Sequence, residues 1–126
     1  AAALAVSNEF MSDLVNDRIP EAISKFEPEF LAALGPGEAV AGVRSLLNYC
    51  GRPLDSELKH EGVGDKVYAD GHKQSTHQFI YSATTTTHPK GECFFAVTMV
   101  SGAAAPRVTT FGPLKSPTGN PPDWAR

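Results

Sequence analysis

The chain has 126 residues, 41% apolar and 20% charged, with a net charge of −3, a composition that suits one globular domain with a core of its own, not a disordered segment. Its 11 Lys and Arg are scattered and outnumbered by 14 Asp and Glu, so bulk charge offers nothing to a phosphate backbone and nucleic acid is not an expected partner. No apolar run in the sequence approaches the ~20 residues that span a bilayer, so no membrane span is expected.

Up to about residue 52, apolar residues recur at three- and four-residue spacings, as amphipathic helices require. The first helix is predicted from about Leu4 to Asp17, with Phe10 and Leu14, and Met11 and Val15, four apart on one face. Asp17-Arg18-Ile19-Pro20 interrupts it, and Pro20 suits the first turn of a short second helix reaching Phe26. Pro28 allows a further turn carrying Phe30, Leu31 and Leu34. Gly35-Pro36-Gly37 stops and restarts the chain, with Gly35 at a C-cap. A longer helix follows from about Glu38 to Tyr49, ended by Gly51 and Pro53.

Beyond this point the pattern alternates: Leu54, Ser56, Leu58 and His60 interleave with Asp55, Glu57, Lys59 and Glu61. Four antiparallel strands are predicted at about 54–69, 72–87, 92–100 and 106–114. Asp70-Gly71 reads as a two-residue hairpin turn, and His88-Pro89-Lys90-Gly91 as a type I or II turn. Gly62-Val63-Gly64 marks a bulge or break in the first strand. Thr84 to Thr87 read as a β-favouring strand end. Strand three is apolar on both sides, Cys93, Phe95, Val97 and Met99 against Phe94, Ala96, Thr98 and Val100. One side suits the helices, and the other either a second copy in a homodimer or the C-terminal tail with Trp124. The sum is an α+β fold, with N-terminal helices packed on a curled four-stranded meander, in one domain over residues 1–115. Residues 116–126, with Pro117, Pro121 and Pro122, form an irregular tail.

This layout resembles the cystatin-like, or nuclear-transport-factor-two-like, superfamily and its cone of sheet around a helix. Phe10 to Gly51 is similar to small bacterial members of unassigned role, through Ala22-Ile23-Ser24-Lys25-Phe26, Phe30-Leu31-Ala32-Ala33-Leu34 and Tyr49-Cys50-Gly51. The resemblance implies a fold. It transfers no catalytic residue, because one such scaffold hosts isomerases, dehydratases, adaptors and binding modules. The Gln-x-Val-x-Gly wedge of cystatin inhibitors is missing at the first hairpin tip, Ala69-Asp70-Gly71-His72.

Cys50 and Cys93 either pair or remain two small buried apolar residues. The opening Ala1-Ala2-Ala3-Leu4-Ala5 fits the residue pattern near a signal-peptidase cut, or simply the first turn of a helix. An extracytoplasmic location, periplasmic or secreted, is the expectation. No metal site or cofactor motif is found. His60, His77 and Tyr81 are candidate proton-transfer residues should they converge on a concave face. Leu58, His60, Phe79 and Tyr81 are the candidate lining of a pocket for a small apolar ligand. The leading functional reading is a non-catalytic binding or assembly domain. The alternatives are a small isomerase- or dehydratase-type enzyme using the His/Tyr pocket, and a protein inhibitor or adaptor.

Overall fold

The computed structural model describes residues 2–87, 93–100 and 105–114. Helices α1 (Ala2–Val15), α2 (Ile19–Ile23), α3 (Pro28–Leu34) and α4 (Pro36–Cys50) precede strands β1 (Glu57–Val67), β2 (Lys73–Ala83), β3 (Cys93–Val100) and β4 (Arg107–Leu114). The strands form one open antiparallel sheet in the order β1-β2-β3-β4. The fold is the α+β arrangement that the change of period predicts, helices on a curled meander.

Each helix stops where the chain loses helical geometry. Asp17 takes a left-handed φ of 58° after α1. Gly35, with φ 85°, donates its N–H to the Leu31 carbonyl at 2.8 Å and closes α3. Gly51, φ 96°, does the same for α4 through Leu47. A Cβ at Gly51 would lie 2.5 Å from the Thr87 hydroxyl and 2.8 Å from that of Thr86, so glycine is required there twice over, for angle and for space.

The core is an aromatic stack between α1 and the sheet. Phe10 meets Phe26 edge-on at 5.7 Å and Phe111 at 5.1 Å, and Phe111 stacks on Phe95 at 5.6 Å. Met11, Leu14, Ile19, Val43, Leu47, Phe79 and Val97 fill the space around them. Removing the Phe10 ring would cost about 3–5 kcal/mol. Polar bonds also hold α1 to the segment around α2: the buried Asp13 accepts from Arg18 at 3.0 Å and from Lys25 at 2.6 Å.

Several local expectations are corrected. The first hairpin loop has three residues, Ala69-Asp70-Gly71, with Gly71 at φ 92° and bonds from Tyr68 N–H to the His72 carbonyl and from Gly71 N–H to the Tyr68 carbonyl. That is a type I turn with a bulge, because only the second residue of Asp70-Gly71 adopts a positive φ. The irregularity in β1 falls between Leu58 and His60, while Gly62, Val63 and Gly64 stay in register. Strand β2 ends at Ala83, and the threonines beyond it dock on the end of α4. Thr85 Oγ1 donates to the Cys50 carbonyl, Arg52 N–H donates to Thr86 Oγ1 at 3.1 Å, and the Leu54 N–H donates to the Thr84 carbonyl at 2.8 Å. Both faces of β3 are buried: Phe95, Val97 and Met99 toward the helices, Ala96 and Val100 on the other side. The turn at 88–91 and the tail with Trp124 lie outside the described residues.

Cys50 and Cys93 form a disulfide with Cα atoms 6.1 Å apart, joining the end of α4 to the start of β3. A bond closing a loop of 43 residues contributes about 4 kcal/mol in the chain-entropy account. Reducing it, or replacing both cysteines by serine, will lower the thermal midpoint by on the order of 10 °C. Melts followed by circular dichroism with and without reductant check this, and equal midpoints would show that the bond adds no stability.

Candidate functional site

The residues singled out from the sequence separate into two groups. On β2, His77, Phe79 and Tyr81 share the face turned toward the helices. Phe79 and Tyr81 are buried there, and His77 stacks on Phe79 at 5.9 Å but is exposed. The Tyr81 hydroxyl sits between α1 side chains, 2.8 Å from Ser7 Oγ and 2.8 Å from Asn8 Oδ1. Burial pushes its phenol up, against the opposing bond from Ser7, and the Glu61 carboxylate raises it further. Leu58 pairs with Tyr81 and joins it in an open cleft of about 530 Å³ beside Asn8 and Asp55.

His60 is not brought into this group. Leu58 faces Tyr81, but one residue is bulged and His60 faces Ile80. Side chains alternate across a strand, so the extra residue sends His60 to the opposite side of the sheet from Tyr81, where it is exposed. His60, His77 and Tyr81 therefore do not share one cavity. Among the described residues no three His, Cys, Asp or Glu come together in a way that could hold a metal ion.

Two other depressions, which no local motif announces, adjoin each other at Phe30. The first is an apolar slot of about 460 Å³ between α3, α4 and β4, lined by Phe26, Phe30, Leu34, Val43, Leu46 and Phe111. It exists because α3 and α4 diverge at Gly35 and leave Phe30 at the rim, 42% exposed and stacked at 5.3 Å on Phe26. Gly42 of α4 lines the slot, and a Cβ added there would meet nothing within 4 Å.

The second is an open, polar cleft of about 590 Å³ between the α2–α3 junction and the first hairpin, lined by Glu27, Glu29, Phe30, Lys66, Tyr68 and Asp70 among others. Its centre is Glu27, 7% exposed. The Lys66 ammonium donates to Glu27 Oε1 and to Thr109 Oγ1, and Tyr68 Oη donates to Glu27 Oε2 at 2.9 Å. Burial alone would raise the Glu27 carboxyl, but the bonds from Lys66, Thr109 and Tyr68 outweigh it and hold the group below the usual carboxylate range. Desolvation, and then the hydrogen bond to Glu27 and its charge, push the Tyr68 phenol up to about 12. Lys66 also lies 4.7 Å from the centre of the Tyr68 ring, whose plane stacks on His72 at 4.2 Å.

Chemically, the groups of this cluster are engaged with one another. Both Glu27 oxygens already accept strong donors, so it is a weak base, and a phenol near 12 is a weak acid at neutral pH. Glu27 and Lys66 stand far apart in sequence, with no spacing to betray them; the one available signal is a Glu just ahead of Pro28 at a helix start.

No family model matches this chain. No curated protein matches it either. Among solved structures it is similar to the 1.8 Å structure of Aln2 from a Streptomyces species, at 13% identity and a TM-score of 0.48, over 89% of this chain and 86% of that one. A likeness of that size says nothing about function. No single helix among the described residues is long and apolar enough to cross a membrane.

Because the folded Glu27 carboxyl lies below its ordinary value of 4.5, its contribution is full above that pH and is lost as pH falls through the folded value. Tyr68 works in the other direction: raised from 10 to about 12, it holds its contribution below pH 10 and loses it as pH climbs through the folded value. Glu27→Gln will cost about 1–3 kcal/mol at neutral pH, since it leaves Lys66 without its charge partner. The variant and the parent will converge on acidification. Urea melts at neutral and acid pH test this, and a difference that stays constant with pH would remove Glu27 from that role.

Proposed function

We propose that this chain is a non-catalytic small-molecule-binding domain of the cystatin-like superfamily that holds an apolar ligand in the slot between α3, α4 and β4. The observation that carries the reading is the slot itself: about 460 Å³ bounded almost wholly by aliphatic and aromatic side chains, with Phe30 exposed at its rim. Ligand sites are typically concave, largely apolar and of this size, with a few polar groups at the margin. Thr109 and Thr110 supply those here. The Cys50–Cys93 disulfide supports an oxidising, extracytoplasmic location, whether periplasmic or secreted.

Proton-transfer catalysis of the isomerase or dehydratase type draws less support. His60 and Tyr81 lie on opposite faces, and Tyr81 donates to Asn8 with no carboxylate or imidazole bonded to it among the described residues. A homodimer through the outer sheet face would have to use half-buried positions such as Phe94 and Thr98, since Ile80, Ala96 and Val100 are already withdrawn from solvent within one chain.

Gly42→Leu tests the slot without threatening the fold. Glycine within a helix costs about 0.5–1 kcal/mol relative to alanine, and an added Cβ meets nothing within 4 Å. The variant is expected to fold with an equal or higher melting temperature and to lose saturable binding of a neutral apolar dye such as Nile red by at least about tenfold. Unchanged dye affinity in Gly42→Leu would place the binding elsewhere or nowhere.

A further inference from the structure

The apolar slot and the polar cleft share Phe30, and they meet again at Thr109, which lines the slot and accepts the Lys66 bond. A molecule lying in the slot with one end at its rim would therefore put that end against the cleft. The charge of the cleft then sets what that end can be. Three carboxylates, Glu27, Glu29 and Asp70, face one ammonium, Lys66, and the balance stays negative even with His72 protonated. Lys66 is already bonded to Glu27 and Thr109. Glu29 makes no hydrogen bond or ion pair among the described residues, yet its charge reaches Tyr68. Beside it the Phe30 ring, stacked on Phe26 over one face, remains 42% exposed.

An unpaired carboxylate next to an open aromatic ring, at the mouth of an apolar slot, is the arrangement that attracts an organic ammonium ion. A carboxylate head would instead meet Glu29 and Asp70 and find Lys66 already engaged. We infer that the two depressions form one binding site whose ligand class is an apolar molecule ending in a protonated amine, the hydrocarbon in the slot and the ammonium between Phe30 and Glu29. This inference rests on the slot-binding reading above and adds the charge of the head.

The test compares dodecylamine, dodecanol and dodecanoate, each below its micelle concentration, by isothermal titration at neutral pH. The amine is expected to bind about tenfold more tightly than the alcohol, and the carboxylate most weakly. Glu29→Gln combined with Asp70→Asn will bring the amine down to the affinity of the alcohol without changing the alcohol's own affinity. Gly42→Leu will weaken all three. Alcohol binding with no preference for the amine, or a preference for the carboxylate, overturns the ammonium head and leaves the slot standing. Failure of all three ligands to bind the parent protein overturns the slot, and this inference with it.

Discussion

The arrangement turns on Val108, which is held from the helical side by two backbone hydrogen bonds. Its N–H donates to the Lys25 carbonyl at 2.7 Å, and its carbonyl accepts the Glu27 N–H at 3.0 Å. The junction between α2 and α3 thereby runs parallel to β4 as a one-bridge extension of the sheet, Phe26 opposite Val108. Those two bonds cover the otherwise open edge of β4, seat Phe26 against Phe10, and place Glu27 within reach of Lys66 at the far edge of the curled sheet. Asp13 grips the same junction from α1 through Lys25. Both depressions are by-products of this anchoring: the chain must leave Val108 outward along α3 and return along α4, and the wedge between them is not filled.

The polar cluster and the apolar slot depend on each other through that anchor. A carboxylate as deeply placed as Glu27 is tolerable only with donors on both oxygens, and Lys66 and Tyr68 are the groups that satisfy it. Satisfying it, however, removes it from acid–base work. The same reasoning applies to Tyr81, whose hydroxyl is engaged by Ser7 and Asn8. In both places burial is balanced by hydrogen bonds to the buried polar groups.

Much of the architecture was legible from periodicity. The four helical segments, their glycine and proline boundaries and the four strands follow from spacing, because the burial of one stripe or one face dominates local preference. The alternation through β1 misled at His60: a single extra residue inverts the parity of everything beyond it, and neither Lys59 nor its neighbours carry a side-chain signal for a bulge. Gly62 and Gly64, which do look like such a signal, remain paired. The slot was invisible for another reason. Phe26, Phe30 and Leu34 read as core residues, and only the divergence of α3 from α4 decides that Phe30 stands at a rim. Glu27, Lys66 and Tyr68 meet through tertiary curvature, which no window of sequence reports.

The first hairpin overhangs the sheet. Strand β3 pairs with β2 from Ala83–Cys93 only as far as Thr76–Val100, whereas β1 and β2 continue together to Val67 and Lys73. Among the described residues no third strand continues beside the ribbon beyond Thr76, and Val67 near its tip is 60% exposed. Segments with few apolar contacts and a single ladder open at a fraction of the global unfolding free energy. Since this ribbon carries Lys66, Tyr68 and Asp70, the bonds from Lys66 to Glu27 and Thr109 and from Tyr68 to Glu27 are what tie its tip to the α2–α3 junction and β4.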